Sequence, residues 1–204
     1  MSQITPLANR SHIASRVAEV LRLIGGASEV YFRGSLPSGS LDMFSDIDIA
    51  VAFPSLDAAT ASREVIDAME SACTIEFADW APTLLPRTPL VSFFLADVPI
   101  HWNVDVQIDL PSEQCNLTAE MIHNDPAAHL LKLWAIALKH VARQDPRAPD
   151  EVRKVWDRTI GGQLPANQLA ALGSALECIS ASGRFAAFAA RCLQTLHDVQ
   201  LLRQ

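Results

Sequence analysis

Residues 30–53, VYFRGSLPSGSLDMFSDIDIAVAF, constrain this chain more than any other stretch, because they read as a strand, a tight polar turn and a second strand carrying two acids. After the turn, Asp46 and Asp48 alternate with Ile47 and Ile49, the period of a half-buried strand. Alternation sets both carboxylates on one face and both isoleucines on the other. Two acids side by side on a strand repel each other unless a cation sits between them. A divalent cation with hard oxygen ligands does this, and magnesium commonly arrives with substrate phosphates. The turn offers those phosphates a place. Gly34 lets the backbone bend sharply and approach a ligand, and Ser35 adds a hydroxyl and an amide donor.

A later strand also carries an acid on its polar face. In HWNVDVQI, residues 101–108, Val104, Val106 and Ile108 share one face while Asn103, Asp105 and Gln107 share the other. Asp105 then points into the same cleft as the aspartate pair. Asp79, Asp97 and Asp109 compete for this role, Asp97 in an expected turn and the other two at expected strand ends.

Gly34-Ser35, ten residues, then Asp46-Ile47-Asp48, flanked by apolar residues, resembles the signature of the nucleotidyltransferase superfamily that includes DNA polymerase beta, the aminoglycoside nucleotidyltransferases and small bacterial nucleotidyltransferases. Ser45-Asp46-Ile47-Asp48 matches as well, and Gly39 stands where a second glycine is common. Ser38 departs from the pattern, which often has arginine before that glycine. The resemblance implies a nucleotidyltransferase-like mixed sheet with flanking helices, of the α+β class, followed by a C-terminal helical bundle. It also implies roles. Asp46 and Asp48 bind two magnesium ions and Asp105, in its apolar-Asp-apolar triplet, binds one of them. Gly34 and Ser35 hold the β- and γ-phosphates, with Ser45 as a further nucleotide-binding position. The implied reaction moves a nucleoside monophosphate, AMP from ATP in the first instance, onto a hydroxyl of an aminoglycoside-like small molecule or a protein. The alternative is a degenerate module that binds nucleotide or a partner without chemistry, as in a toxin-antitoxin pair.

The remainder of the chain supports a domain of 1–115 and a helical one of 116–204. Helix signals cover 11–24, with Ser11 as cap and Gly25-Gly26 as stop, and 55–71. Strand signals cover 73–78, 90–95 and 100–108, the last two as a hairpin, with Pro82, Pro86 and Pro89 breaking the chain before them. Past Pro111 only helices are expected: from the Asp125-Pro126 start to about 142, from about 150 to Gly161-Gly162, and over 165–182 and 184–202. Their alanine and leucine content suits a bundle packed on itself or on a second copy in a homo-oligomer. On the first, His129, Lys132, Lys139 and Arg143 form a basic stripe that reads as a solvated face. By the resemblance, Lys132 or Lys139 gives a positive side chain to the triphosphate.

With half its residues apolar, the chain has enough for a real core, and its net charge of −7 argues against a protein that lives on nucleic acid. The four cysteines are widely spaced, with no metal or disulfide pattern, and read as buried thiols in a reducing compartment. Neither a signal peptide nor a membrane-spanning run is legible, so a cytoplasmic protein is expected.

Overall fold

Local signals place most of the elements. The computed structural model describes residues 6–85, 87–96, 98–181 and 183–203, so Pro86, Asp97 and Ser182 lie outside the described residues. By its contacts the chain divides into two compact units, one of residues 1–98 with 102–123, the other of residues 124–204 with 99–101.

In the first unit, helix α1 (Pro6–Arg22) precedes strand β1 (Glu29–Phe32), a single helical turn α2 (Ser35–Ser38) and strand β2 (Ile47–Ala52). Helix α1 begins ahead of Ser11, which therefore lies inside it and is not its cap. Helix α3 (Ala58–Ala72) starts from Asp57, whose carboxylate accepts from the Thr60 N–H, and not from Ser55. That side chain answers the first-turn N–H groups that a helix leaves unpaired. Strands β3 (Ile75–Trp80), β4 (Leu90–Leu95) and β5 (Val104–Asp109) complete a mixed five-stranded sheet in the order β1-β2-β5-β4-β3. The β4-β5 pair is antiparallel as expected, and β2-β5 is the one parallel pair among these.

One face of this sheet is the core. Ile47, Ile49 and Val51 of β2, Val104, Val106 and Ile108 of β5, and Val91 and Phe93 of β4 are all buried against Val17, Leu21, Val65 and Met69 of α1 and α3. Each such side chain stabilises the fold by roughly 1.5–3 kcal/mol relative to exposure. The strand parity read from the sequence therefore holds, with Asp48 and Asp105 on the other, half-exposed face.

The second unit is helical: α4 (Pro126–Ala142), α5 (Ala148–Thr159), α6 (Gln168–Ser180) and α7 (Ala186–Leu202). Asp125 caps α4 by accepting from the N–H groups of Ala127 and Ala128, with Pro126 in the first turn where no donor is needed. Gly161, at φ 76, follows the end of α5 in a conformation that glycine adopts without strain. Trp134 is fully buried, and its indole N–H donates to the Leu172 carbonyl at 2.7 Å, joining α4 to α6. Lys132 and Lys139 are buried at 9% and 5% exposure, so the basic stripe expected on a solvated face of α4 is not one. The reading of buried thiols holds for Cys192 and only partly for Cys73 and Cys115, while Cys178 is exposed; none of the four is in a disulfide. Among the described residues no helix is long and apolar enough to cross a membrane.

Asp125 also forms an ion pair with Arg184. Asp125→Ala is expected to lower the stability of the helical unit by about 1–2 kcal/mol, mostly through the lost cap. Urea unfolding of the whole chain, followed by helical circular dichroism, checks this, and an unchanged midpoint would refute it.

Candidate active site

Parallel pairing of β2 and β5 sets Asp48 directly beside Asp105, and Ile47 beside Val104. Asp46 lies just before β2 and turns to the same side. The carboxylates of Asp46, Asp48 and Asp105 each offer an oxygen, and these oxygens lie within 4.8 Å of one another. The other two described rivals for the third place are elsewhere. Asp79 is fully buried on β3, in register with Ser92 of β4, and Asp109 ends β5 and accepts from Tyr31 and Gln107.

Gly34 explains how the turn meets this cluster. Its backbone sits at φ 62 and ψ −136, and a Cβ built there would lie 2.1 Å from Oδ2 of Asp48 and 2.9 Å from its Cγ. Asp48 occupies the space any side chain at position 34 would need. The close approach foreseen for a ligand is thus made first to an acid of this chain. Ser35 opens the α2 turn, with its Oγ buried and without a hydrogen-bond partner. A buried hydroxyl left unpaired costs about 1–3 kcal/mol, so Ser35 is a ready donor or acceptor for something that reaches the turn. Ser38, where arginine is common, accounts for itself locally: its hydroxyl donates to the carbonyls of Gly34 and Ser35 at 3.1 and 3.2 Å and closes the turn.

Three supports were not assigned a role from the sequence. Arg10 of α1 is fully buried and donates to the carbonyls of Asp42 (2.7 Å) and Met43 (3.0 Å), while stacking at 4.7 Å over Trp102. Trp102 is buried at 3% exposure and donates its own N–H to Met43 O. Together they pin the loop that delivers Asp46. Arg10 was detectable as a basic residue on the apolar stripe of Ala14, Val17 and Leu21. Asn103 does two things at once. Its carbonyl accepts from Ile47 N–H at 3.0 Å, extending the β2-β5 pairing, and its side-chain amide donates to Asp105 Oδ1 at 2.7 Å. One oxygen of Asp105 is thereby oriented by the strand that carries it.

Ser45, buried at 3% exposure, accepts from the Asp42 N–H and donates to Asp42 Oδ1, both at 3.0 Å. Its hydroxyl is therefore engaged in the turn ahead of Asp46. Lys132 and Lys139 belong to the helical unit.

The three carboxylates fit a divalent cation. They are hard oxygen donors, close enough to share an ion and partly open to solvent, and their mutual repulsion calls for a positive charge. Gly34→Ala is expected to fold, at a cost of about 1–3 kcal/mol from the positive φ, and to displace the Asp48 carboxylate. Manganese, used as a paramagnetic probe for magnesium, should then bind several-fold more weakly than to wild type. A folded Gly34→Ala protein with wild-type manganese affinity would show that the glycine does not govern the acid.

No protein-family model matches the chain, and neither does any curated protein sequence. Among solved structures it is similar to the Cid1 poly(U) polymerase with MgGTP bound, at 16% identity and a TM-score of 0.42, over 84% of this chain and 48% of that one. It is also similar to the GLD-2/RNP-8 complex structure, at 13% identity and a TM-score of 0.40, over 84% of this chain and 49% of that one. The chain thus spans about half the length of the structures it matches.

Proposed function

We propose that this chain is a magnesium-dependent nucleotidyltransferase that moves a nucleoside monophosphate, AMP from ATP in the first instance, onto a hydroxyl acceptor. The observation that carries the reading is the convergence of Asp46, Asp48 and Asp105 behind a turn whose Gly34 has no room for a side chain. In this reading residues 1–115 do the chemistry and 116–204 form the helical domain.

Asp46 and Asp48 would hold two magnesium ions, and Asp105 would share one of them. When bound, magnesium supplies Lewis-acid polarisation of the phosphoryl oxygens and lowers the pKa of a hydroxyl. Gly34 and Ser35 receive the β- and γ-phosphates, with the Ser35 hydroxyl gaining the partner it lacks in the protein. Asp105, whose Oδ1 accepts from Asn103, would take the hydroxyl proton of the acceptor. The acceptor oxygen bonds to the α-phosphorus as the bond to the β-phosphate oxygen breaks, and pyrophosphate leaves. Ser45 acts through the turn ahead of Asp46, and Lys132 and Lys139 are the proposed sources of positive charge for the triphosphate.

The acceptor classes to test are an aminoglycoside-like small molecule, a protein hydroxyl and a nucleic acid end. A binding module without chemistry is the second reading, raised by Ser38 in place of arginine; retention of the three acids weighs against it. Incubation with magnesium, α-labelled nucleotides and each acceptor class, read as label transfer, separates the two.

Asp48→Asn is expected to lose magnesium-dependent nucleotide binding and transfer together. Asp105→Asn should bind magnesium nucleotide nearly as wild type and transfer ~10²- to 10⁴-fold more slowly, the usual range for losing a proton-transfer group. Calorimetry and single-turnover transfer, with Asp79→Asn and Asp109→Asn alongside, check both. Unchanged nucleotide affinity in Asp48→Asn, or full activity in Asp105→Asn, would defeat the assignment.

A further inference from the structure

The acid face carries a second polar cluster that the three aspartates do not use. Arg33 follows β1, and its backbone N–H donates to Asp48 O at 2.9 Å, which continues the β1-β2 register and places Arg33 beside Asp48. Its guanidinium spans β2 and donates to Oε1 of Gln107 on β5. The β2 residue in register with Gln107 is Ala50, short enough to let the arginine pass. Gln107 Nε2 in turn donates to Asp109 Oδ1 at 2.6 Å, and the Tyr31 hydroxyl donates to Asp109 Oδ2. Because the carboxylate of Asp109 can only accept, it turns the Gln107 amide so that its oxygen faces Arg33. The hydrogen bond to Asp109 also raises the pKa of Tyr31, so its hydroxyl remains a donor at neutral pH.

The side-chain partner of Arg33 is therefore a neutral amide. Among the described residues no carboxylate pairs with it, although the chain has a net charge of −7 and three acids share its sheet face. A guanidinium has five N–H donors in a rigid fork suited to phosphate oxygens, and Gln107 takes up only part of that capacity. An arginine held in place by a neutral amide, with N–H donors to spare, is prepared for an anion.

We propose that Arg33, held by the Gln107-Asp109-Tyr31 relay, is a phosphate-binding residue beside the acid triad, at a position separate from the Gly34-Ser35 turn. The phosphate belongs either to the nucleotide or to the acceptor. The identity of that bearer rests on the nucleotidyltransferase reading; the binding position itself does not.

The test follows the Arg33 side-chain N–H resonance, identified by its loss in Arg33→Gln, while inorganic phosphate is titrated into the nucleotide-free protein and into protein saturated with magnesium and α,β-methylene-ATP. If the phosphate belongs to the acceptor, inorganic phosphate shifts the resonance in both samples. Arg33→Gln and Gln107→Glu then weaken phosphate binding roughly tenfold or more, with nucleotide affinity unchanged, as expected for losing a charge-assisted contact. If it belongs to the nucleotide, inorganic phosphate shifts the resonance only without nucleotide, and both variants lose nucleotide affinity by a similar factor. Gln107→Glu keeps an acceptor for Arg33 and cancels its charge but gives up the donor to Asp109, so Gln107→Met, which gives up the same donor without adding a charge, is measured beside it to separate anion binding from a structural role. A resonance that responds to neither phosphate nor nucleotide, or a Gln107→Glu protein that binds both as wild type does, would overturn the proposal. Asp48→Asn reports on the nucleotidyltransferase reading separately: if it binds nucleotide as wild type does, that reading fails, and the nucleotide-free titration still decides the role of Arg33.

Discussion

The β2-β5 rung on which Asp48 and Asp105 stand side by side is the constraint that the rest of the first unit serves. Two adjacent carboxylates oppose this pairing. At about 4 Å their repulsion is roughly 1 kcal/mol in water and about 4 kcal/mol at an effective dielectric near 20. On the other face the same register buries Ile47, Ile49, Val51, Val104, Val106 and Ile108, each worth roughly 1.5–3 kcal/mol. A slip of one residue would bring the aliphatic set of the slipped strand to the acid face. The apolar face therefore wins, and the acids are held together by interactions in which they take no part.

Holding strands in register does not by itself place a carboxylate. Asp46 is delivered by a loop, and that loop is pinned from α1 by buried Arg10 and from ahead of β5 by Trp102, both meeting the Met43 carbonyl. Asp105 is turned by Asn103, and Asp48 fills the space beside Gly34. Arg10 and Trp102 together serve Asp46, Asn103 serves Asp105, and Gly34 leaves room for Asp48. Burying the Arg10 guanidinium is costly unless its donors are met, and the carbonyls of Asp42 and Met43 and the Trp102 ring meet part of that need. Such expense is easier to understand at a loop that has to present a charge than at one that only connects strands.

Much of this was legible in the residues. Alternation in Asp46-Ile47-Asp48-Ile49 and in Val104-Asp105-Val106 was enough to assign faces, because side-chain direction in a strand follows from backbone geometry alone. The Asp125-Pro126 pair marked the start of α4 for an equally local reason, and α4 begins there. Local reasoning missed helix starts: α1 begins before Ser11, and α3 begins at Ala58, capped by Asp57, and not at Ser55. It failed again for Lys132 and Lys139, whose charges predicted a solvated face and whose side chains are buried.

By itself the sequence determined the strands to within about four residues at their ends, the faces their acids would occupy, the need for glycine at a tight turn and the helical character of the second half, all consequences of short-range sterics and periodicity. Only the tertiary structure decided that β5 lies parallel beside β2, across some fifty intervening residues, so that Asp105 and not Asp79 or Asp109 joins the pair. It alone decided that position 34 is closed by Asp48, that Arg10 holds the loop of Asp46 and that Arg33 reaches across to Gln107. These are contacts between residues far apart in the chain. Pairing of distant strands is chosen by the fit of whole apolar faces, and periodicity within one strand carries no record of which neighbour that fit selects.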